Sequence, residues 1–366
     1  MNALSISTRR HFLRQLGVGA LSATIAPRLL RAQAPSASAV IDDYVRQHNF
    51  QGVVALGHSG KIAFSRTIGF ADMEAKTPMK VDTVFGIASI SKMLTAVTVL
   101  KLVERGLLSL DQPITTYLPN YRKDTGSRLT LRHLLANDSG LPNQFSPAWK
   151  ADPTIMDQTL PTAEAVKRFA EGDMISAPGE RFDYSASNWI VVLAVVEAVS
   201  GRDFETVVRN TTLAPLGLNA TTSRPDNRIA VPYTDAAPYT RKPAQRQAYM
   251  AAAGGYYSNA PDLMRAAQRI FGTPFLAPSS LQALTTILVP SEGYALGGRI
   301  REVAIGSQKV KAAWDTGNTS GYRSVLGHRL DGKGTVVVLN NTSMSQKTLD
   351  EFSDALLAAL DAGHAA

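Results

Sequence analysis

Cysteine is absent from this 366-residue chain, which excludes disulfide scaffolds, thiolate metal sites, iron–sulfur clusters and a cysteine nucleophile. Chemistry must come from oxygen and nitrogen groups. Long apolar runs are lacking too. The longest, Trp189 to Val199, has eleven residues and contains Glu197; it is too short to cross a bilayer and suits a buried helix. The six histidines, His11, His48, His58, His133, His328 and His364, form no H-E-x-x-H or comparable metal spacing, so no metal site is expected. Neither a G-x-S-x-G elbow, a G-x-x-x-x-G-K-[ST] phosphate loop nor a G-x-G-x-x-G turn at a strand end is present. No cofactor is implied.

Acidic residues are missing from the first forty positions, which hold Arg9, Arg10, Arg14, Arg28 and Arg31. The formal net charge is +8, yet without these five arginines 33 basic residues face 30 acidic ones. The basic excess is therefore a property of one end, and no nucleic-acid partner is expected. With 45% hydrophobic and 19% charged residues, the remainder has ordinary globular usage.

Ser7-Thr8-Arg9-Arg10-His11-Phe12-Leu13-Arg14 precedes a mildly apolar stretch, Leu16 to Ala26, and then a small-residue stretch, Ala32 to Ala39. This is a signal-peptide pattern. The paired arginines followed by Phe-Leu resemble the twin-arginine export signal of bacteria. Residues 1–38 are accordingly expected to act as that signal. The remaining chain would then work in the periplasm or outside the cell, with no stable membrane span after signal removal.

Strand signals cluster at both ends of residues 39–366. Gly52 to Leu56 and Lys61 to Ile68 read as a hairpin, and Val303 to Ile305, Gln308 to Ala313, Ser324 to Leu326 and Thr335 to Leu339 as further strands. Leu349, Phe352, Leu356, Leu357 and Leu360 recur at helical spacing. Between Ser91 and about Leu288 helical patterns dominate, broken by Pro-Gly loops. The expected class is α+β: an antiparallel sheet built from both termini (about 39–88 and 289–366), flanking helices, and an inserted, mostly helical region (about 89–288).

Ser89-Ile90-Ser91-Lys92 is the only S-x-x-K, placed where Phe85-Gly86-Ile87 leads into a predicted helix over 91–105. On a helix, positions three apart share a face, so the Lys92 amine can reach the Ser89 hydroxyl. A lysine desolvated in a pocket can serve as a base. A serine at a helix start also has free backbone N–H groups nearby, able to hold an oxyanion. Roughly one such match is expected by chance in a chain of this composition, so its context must decide.

That context is Leu129-Thr130-Leu131-Arg132-His133-Leu134-Leu135, Asp138-Ser139-Gly140-Leu141-Pro142, Phe182-Asp183-Tyr184-Ser185, Pro215-Leu216-Gly217-Leu218, Ala253-Gly254-Gly255, and Trp314-Asp315-Thr316-Gly317 with Gly321-Tyr322. In this order, from about residue 40 to 360, the chain resembles the serine β-lactamase-like family. That family includes cephalosporinase-type β-lactamases, D,D-peptidases and carboxylesterases. The resemblance implies a β-lactamase/transpeptidase-like fold, with Ser89 as nucleophile, Lys92 as its partner and Tyr184 as general base. It further implies an oxyanion hole of the Ser89 and Asn318 backbone N–H groups, a substrate-binding motif at Asp315, Thr316 and Gly317, and a small ester or amide as substrate. A phenol acts as a base only with a nearby cation, which Lys92 would supply.

Three positions depart from the family pattern. Tyr184-Ser185-Ala186 lacks the usual asparagine two residues after the tyrosine, Asp315 stands where a lysine or histidine is usual, and Asn137 replaces a frequent histidine. The first two weaken binding of a β-lactam's amide and carboxylate; no role is assigned to Asn137. If ionised toward the pocket, Asp315 should repel anionic substrates; alternatively it turns away and pairs with a residue such as Arg323. The leading expectation is an exported hydrolase forming an acyl-enzyme on Ser89, of carboxylesterase type. A β-lactamase or D,D-peptidase, and a catalytically silent penicillin-type or cell-wall-binding protein, stay open. The oligomeric state is not readable.

Overall fold

The computed structural model describes residues 35–224, 226–244 and 248–361, so the twin-arginine segment lies, for residues 1–34, outside the described residues. In chain order the elements that matter here are α1 (Ala37–Gln47), β1 (Gly52–His58), β2 (Lys61–Ile68), α2 (Ser91–Glu104), α3 (Leu131–Ala136), α4 (Phe145–Ala151), α5 (Ala186–Ser200), α6 (Ala260–Phe271), β3 (Arg299–Ile305), β4 (Gln308–Thr319), β5 (Tyr322–Arg329), β6 (Thr335–Asn340) and α7 (Gln346–Asp361). The six strands form one antiparallel sheet in the order β2-β1-β6-β5-β4-β3. Strands from the two chain ends meet at β1 and β6, where Gly52 lies opposite Asn340 and Leu56 opposite Val336.

Side-chain alternation sends the residues of β1 to two different cores. Val54 and Leu56 join α1 and α7 through Ile41, Tyr44, Phe352, Leu356 and Leu357, whereas Val53 and Ala55 face the helical region with Leu263, Met264 and Leu339. The first layer is fastened by the stacked rings of Tyr44 and Phe352, 4.0 Å apart. A strand covered on both faces carries a continuous apolar run, which is why β1 reads Gly-Val-Val-Ala-Leu without polar alternation. Edge strand β2 alternates between exposed and half-buried residues.

The class is α+β as expected, with two extensions. Strand β4 runs six residues beyond Ala313, to Thr319, paired with β5 throughout. Trp314-Asp315-Thr316-Gly317-Asn318 lacks strand-like alternation because these residues serve the site as well as the sheet. Helix α1, capped by the Ser36 hydroxyl accepting from the Ala39 N–H at 3.2 Å, had no reading in the sequence. Among the described residues no helix is long and apolar enough to cross a membrane.

Helix α5 contains the apolar run Trp189 to Val199, and every residue from Ser187 to Val196 is buried. A helix apolar on all sides is stable only when surrounded, and Leu193 is 1% exposed within the helical core. Leu193→Ala is expected to lower the unfolding free energy in urea by about 2–5 kcal/mol; a loss under about 1 kcal/mol would contradict this packing.

Candidate active site

Ser89 lies in a single 3₁₀ turn, Ala88–Ile90, that runs directly into α2. The preceding Ala88 has φ +43°, a left-handed backbone that costs an alanine on the order of 1–3 kcal/mol. The turn is held from three sides. Ile87 N–H donates to the Tyr256 carbonyl at 3.0 Å, Ser324 Oγ to the Ile87 carbonyl at 3.3 Å, and Tyr256 N–H to Ser91 Oγ at 3.1 Å. Gly317 permits this approach, since a Cβ there would stand 2.3 Å from the Ile87 oxygen. Expected to bind substrate, Gly317 instead borders neither cavity at the site; its part is to let β4 pack on the nucleophile turn.

Lys92 Nζ donates to Ser89 Oγ at 3.1 Å, as the i, i+3 spacing predicts, and also to the Ala253 carbonyl. The lysine is 4% exposed, and its ammonium lies 4.8 Å from the Tyr184 ring centre and 5.4 Å from that of Trp189. Tyr184 completes the group, its hydroxyl donating to Ser89 Oγ at 2.8 Å. Three residues from two distant segments thus converge on one oxygen. The arrangement can deliver a serine hydroxyl as nucleophile and move its proton along either bond.

Asn137, a departure from the family pattern with no role assigned to it above, positions Tyr184. It ends α3 in a left-handed conformation with φ +55°, and its carbonyl accepts the Asp183 N–H at 2.7 Å. Its buried side-chain oxygen accepts from Ser185 N–H at 3.4 Å, Asn188 Nδ2 at 3.2 Å and Trp189 Nε1 at 3.2 Å. One side chain therefore ties the segment around Tyr184 to the start of α5. A helix-ending Asn seven residues after the Thr130 cap marks the turn in sequence, but its three long-range donors leave no local trace. Asn188 is consumed here and by Ser139 Oγ at 2.5 Å, so it does not replace the asparagine missing at Ala186.

Two spaces adjoin Ser89. The larger, about 280 Å³, has Ser89, Lys92 and Tyr184 in its wall, Ala253, Gly254 and Gly255 along one side, Asn318 at another, and an apolar wall of Phe145, Trp149, Met156 and Met250. Asn318 lines this cavity, and so does the Gly254-Gly255 pair, read from sequence as a tight turn only. The smaller recess, about 20 Å³, is bounded by Ser89, Lys92, Tyr184, Tyr294, Gly298, Arg299, Asp315 and Thr316 among others. Asp315 and Thr316 thus meet Ser89 here.

Asp315 is 6% exposed and does not pair with Arg323, whose guanidinium donates to the Thr319, Tyr322 and Ser343 carbonyls. Burial pushes its carboxyl up from 3.8 to about 7, opposed by the charges of Arg299 and Lys92. Its side chain is therefore neutral well below pH 7 and becomes charged as pH rises through about 7. The same burial raises the Tyr294 hydroxyl well above the ordinary phenol range. Among the described residues no cluster of three His, Asp or Glu side chains is placed to hold a metal ion.

The sequence model of one family, described as beta-lactamase, matches residues 37–360. The chain is 31% identical over 283 residues to esterase EstB of Burkholderia gladioli, covering 66% of this chain and 71% of that protein. It is 28% identical over 181 residues to a penicillin-binding protein of Bacillus subtilis, covering 48% of this chain but only 38% of that one. In structure it is similar to the octameric penicillin-binding protein homologue from Pyrococcus abyssi, with TM-score 0.75, 26% identity, and coverage of 88% of this chain and 76% of that one.

Asn137→Ala would strand the buried donors on Asn188 and Trp189, each costing about 1–3 kcal/mol. The expected result is a lowered thermal midpoint together with a fall in kcat measured per folded molecule. A variant with wild-type midpoint and wild-type kcat would show that Asn137 does not position Tyr184.

Proposed function

The chain belongs to the beta-lactamase family and is a serine hydrolase, and on that premise we propose that it hydrolyses small neutral carboxylic esters through an acyl-enzyme on Ser89. One observation carries the reading: Ser89 Oγ, at the wall of a cavity of about 280 Å³, lies 3.1 Å from Lys92 Nζ and 2.8 Å from the Tyr184 hydroxyl. In the proposed reaction the Tyr184 hydroxyl first yields its proton to solvent, leaving a phenolate beside the Lys92 ammonium; Ser89 Oγ then attacks the ester carbonyl carbon while its own proton passes to that phenolate oxygen. That proton then protonates the departing alkoxide, breaking its bond to the acyl carbon. Water adds to the acyl-enzyme, yields a proton by the same route, and releases the acid as Ser89 regains its hydrogen. The Ser89 and Asn318 backbone N–H groups are assigned to the developing oxyanion. Export is part of the proposal and rests on the Arg9-Arg10 segment.

An ester is preferred over a β-lactam because of what surrounds Ser89. The wall of Phe145, Trp149, Met156 and Met250 favours an apolar acyl or alcohol group. Ala186 offers no amide contact. Asp315 carries a carboxyl at the position where a cation would attract a substrate carboxylate. Similarity to esterase EstB over 66% of this chain supports the same choice.

Kinetics with a p-nitrophenyl ester series and with nitrocefin test the reading. Ser89→Ala is expected to abolish turnover, and Lys92→Ala or Tyr184→Phe to cost on the order of 100-fold or more. Full activity of the Ser89→Ala protein would end the proposal; nitrocefin as the better substrate would make it a β-lactamase instead. Because Asp315 gains its charge as pH rises through about 7, neutral esters should gain on anionic nitrocefin. Two charges ~5 Å apart at an effective dielectric of ~20 repel by roughly 3 kcal/mol, so the kcat/KM ratio should rise about tenfold or more between about pH 6 and about pH 8. A ratio flat over that range would show that Asp315 does not act on substrate charge.

A further inference from the structure

Lys92 presents three N–H bonds, two of which are used by Ser89 Oγ and the Ala253 carbonyl. On the recess side of the ammonium lies Asp315, nine-tenths buried, its carboxyl without a hydrogen bond among the described residues. Lys92 and Asp315 form no contact ion pair; they share a recess of about 20 Å³, room for a single water. The groups facing Asp315 there are Lys92 from α2, Tyr184 from the segment before α5, Tyr294 from the turn into β3 and Arg299 at the start of β3. Arg299 already lies 3.3 Å from Glu292 with its side chain 38% exposed, so its charge is matched and wetted. Lys92 has no such match among the described residues, and a buried, unbalanced ammonium is costly.

We propose that Asp315 is a positioning residue, the counter-charge that keeps the Lys92 ammonium beside Ser89 so that the Ser89 proton passes to Tyr184 rather than to the lysine. Resting on the hydrolase reading above, it extends that reading by giving the replaced cation of the third motif a role in the reaction itself. The close packing supports it: a Cβ on Gly298 would stand 2.3 Å from Asp315 Oδ1, so the carboxyl fills space that only a glycine leaves open. The carboxyl's burial costs stability as it ionises. A carboxyl whose folded pKa is raised loses stability progressively as pH climbs from its unfolded value toward the folded one, here from 3.8 to about 7. A residue kept only for stability would not be placed so.

The test compares wild type, Asp315→Asn, Asp315→Glu and Asp315→Lys on one neutral p-nitrophenyl ester across about pH 5 to about pH 9. In wild type, kcat should rise through about pH 7 as the carboxylate forms. Asp315→Asn should lose that limb and fall about 10-fold or more in kcat, measured per folded molecule, with little change in KM. Asp315→Glu should recover part of the rate and the limb, and Asp315→Lys should be the slowest. An Asp315→Asn protein with wild-type kcat and an unchanged profile, or one altered in KM alone, overturns the counter-charge role. If that variant does not fold, Asp315→Glu decides: a profile lacking the limb overturns it as well. Should wild type turn over no ester at all, the hydrolase reading falls first and this proposal with it.

Discussion

The hydrogen bond between Tyr184 and Ser89 spans 95 residues of chain, and most of the surrounding structure serves to close it. Ser89 is fixed by a strained Ala88 that neighbouring strands and loops hold in place, so its hydroxyl cannot rotate away with a relaxing backbone. Tyr184 has no such local support: it is 40% exposed and lies just outside α5. Its position comes from Asn137, which gathers three donors onto one oxygen, and from α5, whose apolar sides are gripped by the helical core. The packing of Leu193 or Trp189 is thus linked to the geometry of a proton transfer on the surface of the same helical region.

Charge is the second constraint. Lys92 delivers a cation to a place where water cannot screen it well, and the low local dielectric strengthens every interaction it makes. In such a setting a carboxyl at 315 acts on both partners of the reaction. As proposed, it balances the lysine and discourages an anionic substrate. In the proposed function, replacing the family's usual cation by an acid redirects the same acyl chemistry toward neutral substrates, in a cavity with an aromatic and thioether-rich wall.

The sequence exposed what is local. Ser89 and Lys92 share a helix face by spacing alone, the apolar run after Trp189 announces a buried helix, and the sheet from both termini follows from where β-branched runs occur. Tyr184 was visible only through a resemblance, because nothing in the residues around it says which of eleven tyrosines meets a serine. Asn137 stands out in the sequence as a departure without a role, because its partners on α5 are about fifty residues away. Asp315 was noticed as a departure, but its protonation depends on burial beside Tyr294 and Gly298, a product of how the turn into β3 folds against β4. The end of β4 escaped for a related reason: residues chosen to line a site break the alternation by which strands are recognised.

The central claim, an acyl group carried on Ser89, is tested most directly by acid-quenching the protein during turnover of a slowly released ester and reading the mass of the peptide that contains Ser89. The account predicts that this peptide gains the mass of the acyl group, that the adduct decays at the rate of deacylation, and that it is missing from the Ser89→Ala protein. Steady turnover with no adduct on Ser89, or with the acyl group on another residue, would contradict it.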